Sequence, residues 1–98
     1  MTIENRIVED IIKYIGNGNK SDWYVGIATD IQKRLFLGHN VAEQGSAGWI
    51  YRKASGEQNA RDTEQYLLHF YGFKGGTGGG ICPKYVYAYK ITSYTNEN

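Results

Sequence analysis

Hydrophobic residues recur along this chain at helical and strand spacings in turn. Isoleucines four residues apart near the N-terminus predict an amphipathic helix over residues 3–14, which a run of glycine and asparagine would end. Alternation of large apolar residues with small or polar ones predicts strands at 23–28, 49–54 and 85–91. Helical spacing returns between the strands, at 30–37 and 57–71. The predicted order is therefore α-β-α-β-α-β.

This order predicts the fold class. The 98 residues fit one domain, in which the polar tail 92–98 is expected to fray. Because the strands are few and alternate rather than being continuously apolar, we expect one face of the sheet to meet solvent. The pattern thus predicts an α+β protein with a small, three-stranded, largely antiparallel sheet flanked by helices.

Composition indicates the cellular compartment and limits the classes of binding partner. A single cysteine, Cys82, rules out an internal disulfide and favours a reducing compartment. The N-terminal acidic residues and the lack of an 18-residue apolar run predict a cytoplasmic protein without a signal peptide or membrane span. Net charge is only +1, so binding of nucleic acid would require a local basic patch.

Three polar residues lie in unusual positions. Glu64 falls on the apolar stripe of the third helix, where a carboxylate is rare unless it is paired or binds a metal; the alternative is a residue at the stripe's edge that reaches solvent or pairs with a nearby arginine. Arg34 lies beside the inner face of the second helix and could offer its fork of donors to a phosphate, or simply cover apolar surface. Tyr24 shares one face of its strand with two small residues, which leaves room for a ligand to approach it. The alternative is an ordinary tyrosine at the rim of the sheet. Facing one crevice, the three would suit phosphodiester chemistry.

The same residues carry a resemblance to a known family. The segment WYVGIATDIQKRLFLGH resembles the second half of the GIY-YIG nuclease signature, with Tyr24-Val25-Gly26 in place of Tyr-Ile-Gly and Arg34 at the helical arginine. The segment ARDTEQYLLHF resembles the family's later helix, and Glu64 takes the place of its metal-binding glutamate. The resemblance implies Mg²⁺-dependent hydrolysis of DNA. Tyr24 would activate or position the water, Arg34 would bind the phosphate and Glu64 would hold the metal. His39 would assist as base or phosphate donor, unless it is a surface histidine.

The order of the motifs differs from that family. There the first strand carries Gly-Ile-Tyr and pairs with the strand carrying Tyr-Ile-Gly, whereas here a helix precedes residue 23. We hypothesise a permuted arrangement in which strand 85–91 pairs with strand 23–28, so that Tyr87 or Tyr89 replaces the first motif's tyrosine.

A glycine-rich run and scattered basic residues complete the candidate chemistry. Residues 75–80 lack the order of a nucleotide-binding phosphate loop, so no nucleotide cofactor is expected. The run is either a turned connection or a nest of backbone N–H groups. Candidate nucleic-acid contacts are basic residues with two interleaved aromatic residues: Lys33, Trp49, Tyr51, Arg52, Lys53 and Arg61.

Three functions stay open from the sequence. The first is a nuclease acting on DNA through one Mg²⁺. The second is a non-catalytic module of the same fold that binds nucleic acid or protein. The third is a structural domain whose tyrosine, arginine and glutamate form a buried polar network. With so few basic residues, a protein partner or a homodimer would help to hold a duplex.

Overall fold

A computed structural model describes residues 2–39, 41, 48–76, 82–95 and 97. Within these ranges the helices are α1 (Asn5–Ile15), α2 (Gln32–Gly38, wound as a π-helix) and α3 (Glu57–Tyr66), which continues with π-helical winding over Leu67–Tyr71. The strands are β1 (Trp23–Ala28), β2 (Trp49–Lys53) and β3 (Tyr85–Lys90). Each predicted element is present, and its ends differ from the prediction by two residues or fewer.

The three strands form one antiparallel sheet in the order β1-β3-β2. The predicted α+β class and the predicted pairing of the last strand with the first are both confirmed. In the register, Tyr24 lies opposite Tyr89 and Gly26 lies opposite Tyr87. Tyr87 in turn lies opposite Tyr51 on the other side. The last strand is therefore the centre of the sheet, and it brings its tyrosines between the two earlier strands.

One face of the sheet packs against α1 and α3. Alternate residues of β1 point to this face, beginning with Trp23, and they meet the isoleucines that predicted the first helix. Burial of this apolar surface is the main favourable term in folding. The buried residues of this layer include Ile7, Ile11, Val25, Ile27, Ile50, Leu67, Val86 and Ala88.

The opposite face is covered over β1 and β3, so the expected solvated face was wrong there, while Tyr51 and Lys53 of β2 remain exposed on it. All six residues of β1 are buried. The second helix and the residues after it place Leu35, His39 and Val41 over Tyr24 and Tyr87. The alternation misled the prediction because tyrosine can bury its ring while its hydroxyl is satisfied by a neighbouring polar group.

The outer edge of β1 is closed by the start of the glycine-rich run. The Val25 N–H donates to the Lys74 carbonyl at 2.8 Å, and the Lys74 N–H donates to the Trp23 carbonyl at 3.0 Å. A side chain at Gly75 would place its Cβ 2.8 Å from the Val25 carbonyl oxygen. Glycine is therefore required for this close approach. Residues 77–80, the rest of the run, lie outside the described residues.

The residues after β3 are held by hydrogen bonds. Past β3, Thr92 and Thr95 hydrogen-bond to each other, and Glu97 accepts a hydrogen bond from Tyr89. Along the described part of the chain, none of the helices has the length and apolar character needed to cross a bilayer.

Candidate functional site

Tyr24 is the centre of a cluster of polar and aromatic side chains on the covered face of β1. Its ring lies 4.7 Å from that of His39 and 5.2 Å from that of Tyr89, centroid to centroid. The Gly76 backbone comes so close to its hydroxyl that a Cβ at Gly76 would lie 2.9 Å from that oxygen. Tyr24 is only 8% exposed, so the alternative of a rim tyrosine is wrong.

His39 follows α2 and is held between two tyrosines of β3. Its Nε2 lies 2.8 Å from the Tyr87 hydroxyl, and its Nδ1 lies 3.1 Å from the Tyr89 hydroxyl. The imidazole is 2% exposed, which contradicts the alternative of a surface histidine. Burial raises the pKa of both tyrosines, so both are phenols at neutral pH. The sequence offered Tyr87 or Tyr89 for this strand, and the structure brings both to the histidine.

Arg34 is carried on the π-helical turn that leads to His39. The His39 N–H donates to the Arg34 carbonyl at 2.9 Å, the i to i+5 bond of a π-helix. Burial raises the pKa of Tyr24, and the nearby Arg34 charge opposes that rise. The half-buried guanidinium forms none of the ion pairs found among the described residues. It is therefore available to an anion beside Tyr24.

Glu64 lies on α3, and its charge acts on the same phenols. Its side chain is 7% exposed, so the alternative of an edge residue reaching solvent is wrong. Burial raises the pKa of this carboxyl, opposed by a hydrogen bond from Gln65 at 3.3 Å and by the Arg61 charge. The Glu64 charge in turn raises the pKa of Tyr24 and of Tyr87. Positive and negative charges thus reach one phenol from two different helices.

The possible metal ligands around Glu64 decide which kind of metal ion this site could hold. The ion pairs found in the described ranges leave this buried carboxylate without a cationic partner, because Arg61 bonds to Glu57 at 2.9 Å. No cluster of three or more histidine, cysteine, aspartate or glutamate side chains occurs in those ranges. Mg²⁺ is usually held by one or two carboxylates while keeping several waters. A single buried carboxylate therefore fits Mg²⁺ and does not fit a cation that needs an all-protein cage.

The predicted nucleic-acid contacts do not form one patch. Trp49 and Tyr51 lie on the covered face with nearly parallel rings 6.1 Å apart, and the Phe36 ring packs against Trp49. By alternation, Lys53 shares their face, while Arg52 points to the other and pairs with Asp10 at 3.0 Å.

The two remaining basic residues lie on helices. Arg61 forms an ion pair with Glu57 on α3, on the far side of the sheet, and its charge opposes the rise that burial causes in the pKa of Glu64. Lys33 is exposed on α2, and its backbone N–H donates to Asp30 at 3.3 Å. The structure therefore brings the two aromatic residues together and separates the arginines from them.

Sequence reasoning missed Glu97. The Tyr89 hydroxyl donates to its Oε2 at 2.7 Å, which brings a carboxylate from the C-terminal tail to the histidine cluster. No local signal marks this residue, because the tail is uniformly polar and lies far from His39 in sequence. The sequence marked Gly26 only as a small residue. In the structure the Tyr87 hydroxyl packs directly against its Cα, in the space that a side chain would fill.

Similarity to known proteins does not identify this cluster. Comparison of the chain with protein-family models, with curated proteins and with solved structures gave no match.

Proposed function

We propose that this protein hydrolyses phosphodiester bonds of DNA at the cluster around Tyr24, with Mg²⁺ bound at Glu64. The observation that carries the proposal is that buried Glu64 and half-buried Arg34 form none of the ion pairs found among the described residues, while the charges of both act on the pKa of buried Tyr24. A phosphodiester and a hydrated cation would satisfy both charges at once. The resemblance of the segments carrying these residues to the GIY-YIG nuclease family points in the same direction.

Each side chain has a role in this proposal. Arg34 binds the scissile phosphate and neutralises the charge that develops on it. Because the pKa of Tyr24 is raised, its phenol stays protonated at neutral pH and orients water or phosphate by hydrogen bonding rather than acting as a base. His39 accepts a proton at Nε2 through the Tyr87 hydroxyl bonded to it. Bound Mg²⁺ would supply a Lewis acid and lower the pKa of its water.

The substrate surface would extend along the covered face of the sheet. Trp49 and Tyr51 are next to Tyr89 and Tyr87 in the register, so bases leaving the site would stack on that pair. Lys33 and Lys53 are exposed and would contact the backbone. A protein partner or a second copy would add basic surface. The single free cysteine supports a cytoplasmic site of action.

A non-catalytic module that binds nucleic acid or protein is the second candidate. The observation that favours it is the burial of Tyr24 and Glu64, which limits access of a substrate to both groups. An aromatic pair such as half-buried Trp49 and exposed Tyr51 needs no metal to bind single-stranded nucleic acid.

The test is cleavage of plasmid and single-stranded DNA with and without Mg²⁺. Glu64→Gln should abolish cleavage, whereas Glu9→Gln, an exposed change on α1, should leave it unchanged. Arg34→Gln should abolish cleavage, and Arg6→Gln on α1 is its matched control. NMR shifts near Tyr24 on adding Mg²⁺, absent from Glu64→Gln, would locate the metal. Binding of DNA without metal dependence or cleavage would favour the non-catalytic module.

A further inference from the structure

Four side chains from three parts of the chain form one continuous hydrogen-bonded series. The Glu97 carboxylate accepts from the Tyr89 hydroxyl at 2.7 Å. The same hydroxyl lies 3.1 Å from His39 Nδ1, and His39 Nε2 lies 2.8 Å from the Tyr87 hydroxyl. The histidine and both tyrosines are at least 98% buried. Glu97 supplies the only carboxylate of the series.

With a neutral imidazole, the number of protons fixes the direction of every hydrogen bond in the series. A carboxylate can only accept, so the single hydroxyl proton of Tyr89 points to Glu97. The Tyr89 oxygen can then only accept from His39, which requires the proton of the neutral imidazole to be on Nδ1. Nε2 is left with its lone pair and accepts from Tyr87. The tail carboxylate therefore decides which histidine nitrogen can take a proton.

Without that carboxylate the series can run in the opposite direction. The Tyr89 hydroxyl would be free to donate to Nδ1 of His39, and the imidazole proton would move to Nε2. Nε2 would then donate to the Tyr87 oxygen instead of accepting from it. A histidine in that tautomer cannot take the Tyr87 proton.

We propose that Glu97 is a positioning residue that acts through Tyr89 to hold His39 in the Nδ1–H tautomer. This inference rests on the proposed function for its role in the reaction, where Nε2 receives the proton passed on by Tyr87. Glu97 touches neither substrate nor metal in this scheme. Its charge also compensates the imidazolium that forms when Nε2 takes the proton.

The tautomer can be read directly by long-range ¹H–¹⁵N NMR on the full chain labelled at histidine. His69→Gln assigns the two imidazoles, since the chain has two histidines. We expect the Nδ1–H form in the wild type and in Glu97→Gln, whose amide oxygen still accepts from Tyr89. We expect Glu97→Ala to lose the Nδ1–H form. Glu9→Ala, an exposed change on α1, should leave the spectrum as in the wild type.

Two NMR results would overturn the proposal. One is an Nε2–H tautomer in the wild type. The other is an unchanged Nδ1–H tautomer in Glu97→Ala. Neither measurement involves DNA, so both are independent of the nuclease activity.

The role in the reaction is tested separately. We expect Glu97→Ala to lower kcat by up to about 100-fold with little change in KM, since a general base contributes at least that much. Glu97→Gln should recover most of kcat. An altered tautomer with unchanged kcat would overturn the catalytic part of the proposal. An altered tautomer in a protein that cleaves no DNA at all would refute the nuclease while supporting the structural role of Glu97.

Discussion

Gly26 is the position at which a single methyl group should disturb both the sheet and the candidate site. It lies in the middle of β1, directly opposite Tyr87 in the antiparallel register. A Cβ at this position would lie 2.6 Å from Tyr87 Cζ, and the hydroxyl oxygen would be closer still. The Tyr87 ring is 1% exposed and its hydroxyl is bonded to His39 at 2.8 Å. It therefore has no free space into which to move.

The cost of Gly26→Ala follows from these contacts. Forcing an extra methyl group into a packed core costs about 1–3 kcal/mol. Displacing the Tyr87 hydroxyl from His39 adds about 1 kcal/mol for a lost hydrogen bond. Alanine offsets about 0.5 kcal/mol by restricting the unfolded chain. We therefore expect a net loss of about 1.5–3.5 kcal/mol, which is roughly a tenfold to several-hundredfold change in the folding equilibrium.

Urea unfolding followed by tryptophan fluorescence measures this loss. The matched control is Gly38→Ala at the end of α2, where the added Cβ would meet only ordinary contacts at 3.4 Å and beyond. That variant should be unchanged or slightly more stable, because alanine favours helix over glycine. If the two variants differ by less than about 0.5 kcal/mol, Tyr87 does not lie over Gly26 and the reasoning fails.

Three further predictions concern pH and binding. Burial raises the pKa of Tyr87 and of Tyr89. The folded state therefore keeps protons that the unfolded state releases above pH 10, and the free energy of unfolding should fall as the pH rises beyond that value. Phenolate absorbance of these two residues should appear only together with loss of circular dichroism, and full ionisation in a folded protein would contradict this. Hydrogen bonds from Thr2 lower the pKa of Asp62, so the stability that this carboxylate contributes should be lost as the pH falls below 3.8. In thermal unfolding measured at a series of pH values, Asp62→Asn should reduce the decrease in Tm at acid pH. Tyr51→Ala should weaken binding of a single-stranded oligonucleotide about tenfold in a fluorescence titration. An unchanged affinity would show that Tyr51 does not stack on the bases.

Much of the fold was accessible from local patterns. The isoleucine spacing gave α1, and alternation gave the three strands to within a residue. Glu64 was recognisable because it interrupts an apolar stripe, and it is indeed buried. These patterns depend on neighbours two to four residues away, which the sequence displays directly.

The site depended on contacts that local patterns do not encode. His39 and Tyr89 are 50 residues apart, and only the pairing of β3 between the other strands brings them together. The cover over the second face was not foreseen, because tyrosine on an alternating strand is compatible with water as well as with a buried polar partner.

The sequence by itself therefore determined the elements, their order, and the polar residues that interrupt apolar stripes. Only the tertiary structure decided that the second face of the sheet is covered over β1 and β3 and that Glu97 reaches Tyr89. The physical reason is that helix and strand periodicity follow from backbone geometry over a few residues. A buried hydrogen-bonded series is selected by the need of distant polar groups for partners once water has been removed.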